Sequence, residues 1–197
     1  MLAIFKREFK SYFQNVIGWL FVAALLAVYG LYFYVYNLKN GYPYISYDLK
    51  GIGFIMMIAV PILTMRSLSD EKKTKTDQLM LTSPVSVGKI VAGKYFAMAA
   101  VYTIDIALFA LSPLVLSIYG KVALSEAYVA LFGYWLYGLS CIAVGLFISS
   151  ISESVIISAI LTFAALFLSY MMQSITGLIS SSGNLLTKVL NCFDLYT

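Results

Sequence analysis

The sequence predicts an all-α polytopic membrane helix bundle, on three observations. Of its 197 residues, 61% are hydrophobic and 11% charged, against about 45–50% and about 25% in soluble domains. The apolar residues gather in uncharged runs at or beyond the roughly 20 residues that a helix needs to cross a bilayer. The few charges fall between those runs and divide the chain into five spans.

Residues 1–15 place Leu2, Phe5, Phe9, Tyr12, Phe13 and Val16 at helical spacing, with Lys6, Arg7 and Lys10 off the apolar stripe. That pattern predicts an interfacial amphipathic helix on the inner leaflet. A cleaved leader is disfavoured, because the apolar run that follows exceeds a signal core and lacks a small-residue cleavage site. Residues 16–197 then form the membrane domain. Span one covers 16–38, without a charge. Span two is shorter: between Lys50 and Arg66 lie Gly51 to Met65, roughly 22 Å of helix. It crosses if the helix starts near 46 and ends near 66, with Asp48 and Lys50 at the interface and a bend at Pro61.

The segment 67–94 is too long and too patterned for a simple connector. Ser69 can cap a helix opened by Asp70 and Glu71, Thr76 to Leu81 can add an amphipathic piece, and Pro84 stops it; a second start follows, with Val87, Ile90 and Val91 giving an apolar face that leads into span three. Two readings stand side by side: a docking knob for a partner, and a solvated basic loop held by anionic headgroups. Span three covers 95–119 with Asp105 and Pro113 inside it, span four 127–150, and span five 154–173. Beyond it, residues 175–197 turn polar and Ser/Gly-rich, which predicts a surface or re-entrant segment.

With the amino terminus inside, the inner segments hold nine Lys and Arg residues and the outer ones four. The positive-inside rule therefore places the amino terminus in the cytoplasm and 67–94 on the same side. An odd number of spans leaves Thr197 outside, so either five spans complete the bundle or a sixth is absent from this chain.

Enzyme chemistry has little to work with. The chain has no histidine, which removes His-based catalysis and histidine metal sites. Cys141 and Cys192 show no ligand spacing, so no metal site is expected. An intramembrane protease lacks a base, and no charged tail points to nucleic acid. Asp105 lies near the bilayer middle, where an acid is expected to be neutral, paired or turned to a wet cavity, and Tyr102, Ser158 or Thr162 could satisfy it. Asp105, Ser158 and Thr162 are the candidate pathway residues, with a hydrogen-bonded structural acid as the alternative. Span five carries a small polar stripe from Ser154 through Ser158, Thr162, Ala165 and Ser169, which close helix packing explains without a substrate. Gly138, Cys141 and Gly145 form a similar packing face on span four. Seven tyrosines between Tyr29 and Tyr47 are expected to form an interfacial belt, with a ligand-binding aromatic patch as the alternative.

One resemblance covers most of the chain. The run Glu71-Lys72-Lys73, Thr76-Asp77-Gln78-Leu79, Leu81-Thr82-Ser83-Pro84-Val85 and Gly93-Lys94-Tyr95 resembles the segment after the second span in membrane subunits of type 2 ABC exporters, especially the gliding-motility-type permeases of bacteria. Arg7-Glu8-Phe9-Lys10-Ser11-Tyr12-Phe13 is similar to their interfacial connecting helix. The resemblance implies a six-span half-transporter in the bacterial inner membrane, paired with a second permease subunit as a homo- or heterodimer. It further implies two copies of a cytoplasmic ABC ATPase that binds ATP and Mg, since Gly88-Lys89 does not make a P-loop here. On this likeness Asp70, Glu71, Lys72, Lys73, Thr76, Asp77, Leu79, Leu81 and Pro84 form the ATPase-coupling surface. Phe5, Lys6, Arg7, Phe9, Lys10 and Phe13 form the interfacial helix. The family's outer re-entrant helices fit 175–197, which would end this chain before span six. A membrane scaffold without transport is the alternative function.

Overall fold

The computed structural model describes residues 2–42, 44–69, 72, 86–119 and 123–179, and every regular element among them is helical. The predicted all-α bundle is therefore what the chain forms. α1 (Leu2–Gln14) carries the amphipathic stripe. It ends at Asn15, whose extended backbone (φ −92°, ψ 155°) turns the chain into α2 (Val16–Phe33). Gly18 keeps that corner tight, because a Cβ there would lie 2.5 Å from the Tyr12 carbonyl oxygen.

α2 does not stop at Phe33 but widens into a π-helical segment, Tyr34–Lys39. α3 (Ser46–Thr64) follows, starting where the short second span had to start in order to cross. Pro61 is accommodated within it. α4 (Val87–Phe109) begins at the second start that Val87, Ile90 and Val91 predict and runs unbroken past Tyr95 into span three. Lys89 stays exposed, whereas Lys94 does not mark the edge of the span, because a charge marks a boundary only if it stays in water and Lys94 is buried.

The third span breaks at Ala110 and Leu111 and resumes as α5 (Ser112–Tyr119). The cause is local. Pro113 has no N–H for the Phe109 carbonyl, and the Ser112 hydroxyl donates to that carbonyl instead, at 2.7 Å. α6 (Leu124–Ile151) is the longest helix, and α7 (Val155–Ile179) continues past Gln173, where the polar composition predicts an end. The start of the expected re-entrant segment, from 175, is thus helix continuous with span five. Residues 180–197 lie outside the described residues, as do Asp70, Glu71, Lys73, Thr76, Asp77, Leu79, Leu81 and Pro84 of the coupling surface.

Among the described residues, five helical stretches are long and apolar enough to cross a membrane: Val16–Lys39, Ser46–Thr64, Val87–Ile118, Leu124–Ile151 and Val155–Met172. The bundle is built around α3, on which α2, α6 and α7 all pack. The apolar stretch of α3 is 61% buried, against 22% for span one and 17% for span five. Those two outer spans keep broad apolar faces, with Leu20, Leu31, Ile156 and Ile160 exposed, as a helix facing lipid tails should. The core runs through Phe21, Leu25, Ile52, Met56, Leu63, Met98, Tyr102 and Ile142.

Candidate functional site

Polar groups inside such a bundle must find partners, since no water is at hand. They concentrate at the end that carries α1, where the loop 67–94 leaves and re-enters the bundle. α1 lies along α4. Its aromatic face forms a ladder, with ring centroids 5.8 Å apart for Phe5 and Phe9 and 5.0 Å for Phe9 and Phe13. Trp19 closes it edge-on at 5.3 Å and donates its Nε1–H to the Phe13 carbonyl at 2.9 Å. Lys6, Arg7 and Lys10 point away and are exposed. The six residues expected to make the interfacial helix therefore divide into a packed aromatic side and a basic outer side.

Glu8 faces inward instead. Its Oε1 accepts from Arg7 at 2.7 Å and lies 3.6 Å from Lys94 Nζ. The Lys94 ammonium, almost wholly buried, donates to the Ser67 carbonyl at 2.8 Å. One lysine thus ties α1 to α4 and ties both ends of the loop, Ser67 and Lys94, to each other. A detectable signal was present: Lys94 occupies the inward stripe of α4 between Ile90 and Ala97 and Met98, where a solvated lysine would not be.

The first turn of the loop is held from α6. The Leu68 and Ser69 backbone N–H groups donate to Ser149 Oγ at 3.2 and 3.3 Å. Ser69 Oγ and Ser149 Oγ are 2.9 Å apart, and Ser69 Oγ donates to the Met65 carbonyl at 2.9 Å. Lys72, the one coupling-surface residue among those described, donates its Nζ to the Ser150 carbonyl. The expectation that Ser69 caps a helix opened at Asp70 is corrected in its register. Ser69 is itself helical, and the Lys72 N–H bonds to the Leu68 carbonyl at 3.1 Å. A serine side chain turned back to the carbonyl four residues earlier is the usual alternative to capping.

Two close helix contacts support this end of the bundle. A Cβ on Gly145 would lie 2.5 Å from Thr64 Oγ1, and Gly138 lies against the Tyr102 ring. Cys141 between them is free and buried. The packing face expected on span four is therefore real, and it is what lets α3 and α4 approach α6.

The candidate pathway residues are not brought together by hydrogen bonds. Asp105 is fully buried in α4, and neither carboxyl oxygen has a partner among the described residues. Tyr102 donates to the Tyr134 carbonyl at 2.7 Å instead, and Thr162 donates to the Ser158 carbonyl at 2.8 Å. Ser158 and Thr162 are buried at the packed face of α7, as the packing account of that stripe requires. Replacing Asp105 by leucine, of near equal size, should raise the thermal stability of the purified chain by about 1–3 kcal/mol, because an unpartnered polar group is removed. A lower midpoint would show instead that the carboxyl is satisfied in the intact chain.

At the opposite end, Asp48 in the first turn of α3 is fully buried, accepting from Asn37 of the π-helical segment. Beside it in the bundle, Tyr29 and Ser112 share a hydrogen bond between α2 and α5, and the Tyr29 ring stacks on Phe109 at 4.0 Å. No group of three or more Asp, Glu, Cys or His side chains with metal-ligand geometry occurs among the described residues.

An all-helical bundle with five helices long and apolar enough to cross a membrane among its described residues places the chain in the class of polytopic membrane proteins. The family comparison makes this specific. The profile described as ABC-2 family transporter protein matches residues 32–197, and the chain belongs to that family: it is a transmembrane subunit of an ABC transporter. Comparison with curated proteins and with solved structures gives no match.

Proposed function

We propose that this chain is the exporter-type permease subunit of an ATP-driven transporter in the bacterial inner membrane, with its amino terminus in the cytoplasm. ATP and Mg are bound by a separate ATPase, present in two copies, and a second permease subunit completes the membrane domain. The gliding-motility-type permeases remain the relatives of choice, on the motif from Glu71 to Tyr95.

The observation that supports coupling through the loop is the Lys94 bond to the Ser67 carbonyl. A loop closed on itself at its root moves as one body, so force applied near Asp70 to Pro84 reaches α3 and α4 together. The Glu8 contact extends that motion to α1 along the membrane surface. Such transmission needs an element with two arrangements biased by nucleotide, not proximity alone.

Charge reversal at Lys72 and Lys73 is expected to weaken association with the ATPase at least about tenfold, since like charges across an interface cost several kcal/mol. Co-purification from membranes in mild detergent, with mass spectrometry of the bound chains, measures it. Unchanged recovery of the ATPase places docking elsewhere, and a preparation with no ATPase at all favours the scaffold reading.

A further inference from the structure

At the loop end of the bundle, α6 finishes on a serine that serves another part of the chain. Ser140 and Ser150 in the same helix turn their hydroxyls back to the Leu136 and Phe147 carbonyls, at 3.1 and 2.6 Å. Ser149 instead accepts two backbone N–H groups lying 80 and 81 positions earlier in sequence. We infer that Ser149 is a helix cap supplied in trans, and that through it span four moves with the docking loop, so that the loop drives three spans rather than two. The inference rests on the permease reading above, since without an ATPase there is no displacement to pass on.

The first N–H groups of any helix lack partners within it, and a side chain just upstream usually supplies the acceptor. Here the loop turn begins at Leu68 and Ser69, and its acceptor comes from α6. The protons balance. Ser149 Oγ accepts from both amides and donates its own proton to Ser69 Oγ, which donates in turn to the Met65 carbonyl. Ser149 and Ser69 are fully buried, so water is not at hand to replace either partner. The Ser150 carbonyl, in the last turn of α6 and unpaired within a helix by position, accepts from Lys72. The open N-terminus of the loop turn and the open C-terminus of α6 thus satisfy each other. With Thr64 pressed on Gly145 just below, the end of α3, the loop root and the end of α6 form one rigid joint. Ser149 is a positioning residue: it acts on the loop, not on a transported molecule.

The test uses the complex with its co-purified ATPase in lipid nanodiscs. Cys141 and Cys192 are replaced by alanine, and spin labels are placed at the exposed positions Phe147 and Leu20. Hydrogen exchange is followed at the Leu68 and Ser69 amides. In the otherwise unaltered chain those amides should stay protected with and without trapped ATP, while the label distance changes on trapping. Ser149→Ala should keep the ATPase bound, speed exchange of both amides at least about tenfold, and abolish the distance change. Ser149→Thr should restore both. Loss of amide protection on ATP trapping, a span four that never moves, or an undiminished distance change in Ser149→Ala overturns the inference. Should Ser149→Ala fail to accumulate, the exchange comparison between nucleotide states decides without it. Absence of any bound ATPase in the unsubstituted complex overturns the permease reading instead.

Discussion

Gly138→Ala is expected to destabilise the chain by about 3 kcal/mol, at the upper end of overpacking costs, while Gly133→Ala in the same helix should be neutral or slightly stabilising. The two glycines have equal helix propensity and different surroundings. A Cβ at Gly133 meets nothing within 4 Å, whereas at Gly138 it overlaps the Tyr102 ring and lies 2.5 Å from the hydroxyl oxygen. That ring has nowhere to retreat. It is fully buried, tied at 2.7 Å to the Tyr134 carbonyl, and flanked by the Tyr134 ring at 6.4 Å. Thermal unfolding of the purified chain, followed through its tryptophans, measures both variants. In a Tyr102→Ala background the added cost of Gly138→Ala should largely vanish, which a double-mutant cycle detects as a coupling between neighbours. Equal effects at Gly133 and Gly138 would mean that α4 and α6 do not approach as described.

Lys94→Ala is the second substitution with a large expected cost, about 3–5 kcal/mol. It removes a buried stem, leaves the Ser67 carbonyl without its donor and takes from Glu8 the ammonium at 3.6 Å. Lys94→Met keeps the packing of the stem and should recover part of the loss, which separates volume from charge. Glu8→Gln should cost less, about 1–2 kcal/mol, because the Glu8 side chain is partly exposed and keeps its neighbour Arg7. The distinguishing readout is local. In both Lys94 variants hydrogen exchange in α1 should rise more than in α3 or α6, since the α1 to α4 tie is the one cut. A uniform rise throughout the bundle would argue that Lys94 supports general packing rather than this joint.

The spans were legible because they depend on composition over long windows, and a bilayer leaves few alternatives to a helix. The corner at Asn15 and Gly18 and the break at Pro113 were not read from the sequence, since one depends on how closely Gly18 approaches Tyr12 and the other on the Ser112 hydroxyl taking the Phe109 carbonyl. The packing glycines were legible, because small residues on one helix face have one main use between helices. The polar joints were harder to see. A serine near the end of an apolar helix is unremarkable until its partners are known, and those of Ser149 lie in another loop. Lys94 was assigned to the cytoplasmic loop by its charge, yet it is buried with a partner that only the fold supplies, just as the fold alone supplies Asn37 to Asp48. A helix end drifts likewise at α7, which extends through residues whose polarity suggested a stop, whereas the α4 start at Val87 was legible from its apolar face.

The tie between Glu8 and Lys94 also sets an order of biosynthesis. α1 precedes every other described element along the chain, yet it packs on α4, which cannot be present until two spans and the whole loop have left the ribosome. During that interval the aromatic face of α1 rests on α2, through Phe13 and Trp19, and on the membrane surface. Among the described elements, α1 thus completes its packing only once α4 is in place. A ribosome-bound chain arrested before Lys94 emerges would carry α1 adsorbed on lipid, and one arrested after α4 has inserted would carry it locked. The join between early and late parts of the chain becomes a natural checkpoint at which a misinserted third span leaves an amphipathic helix unclaimed.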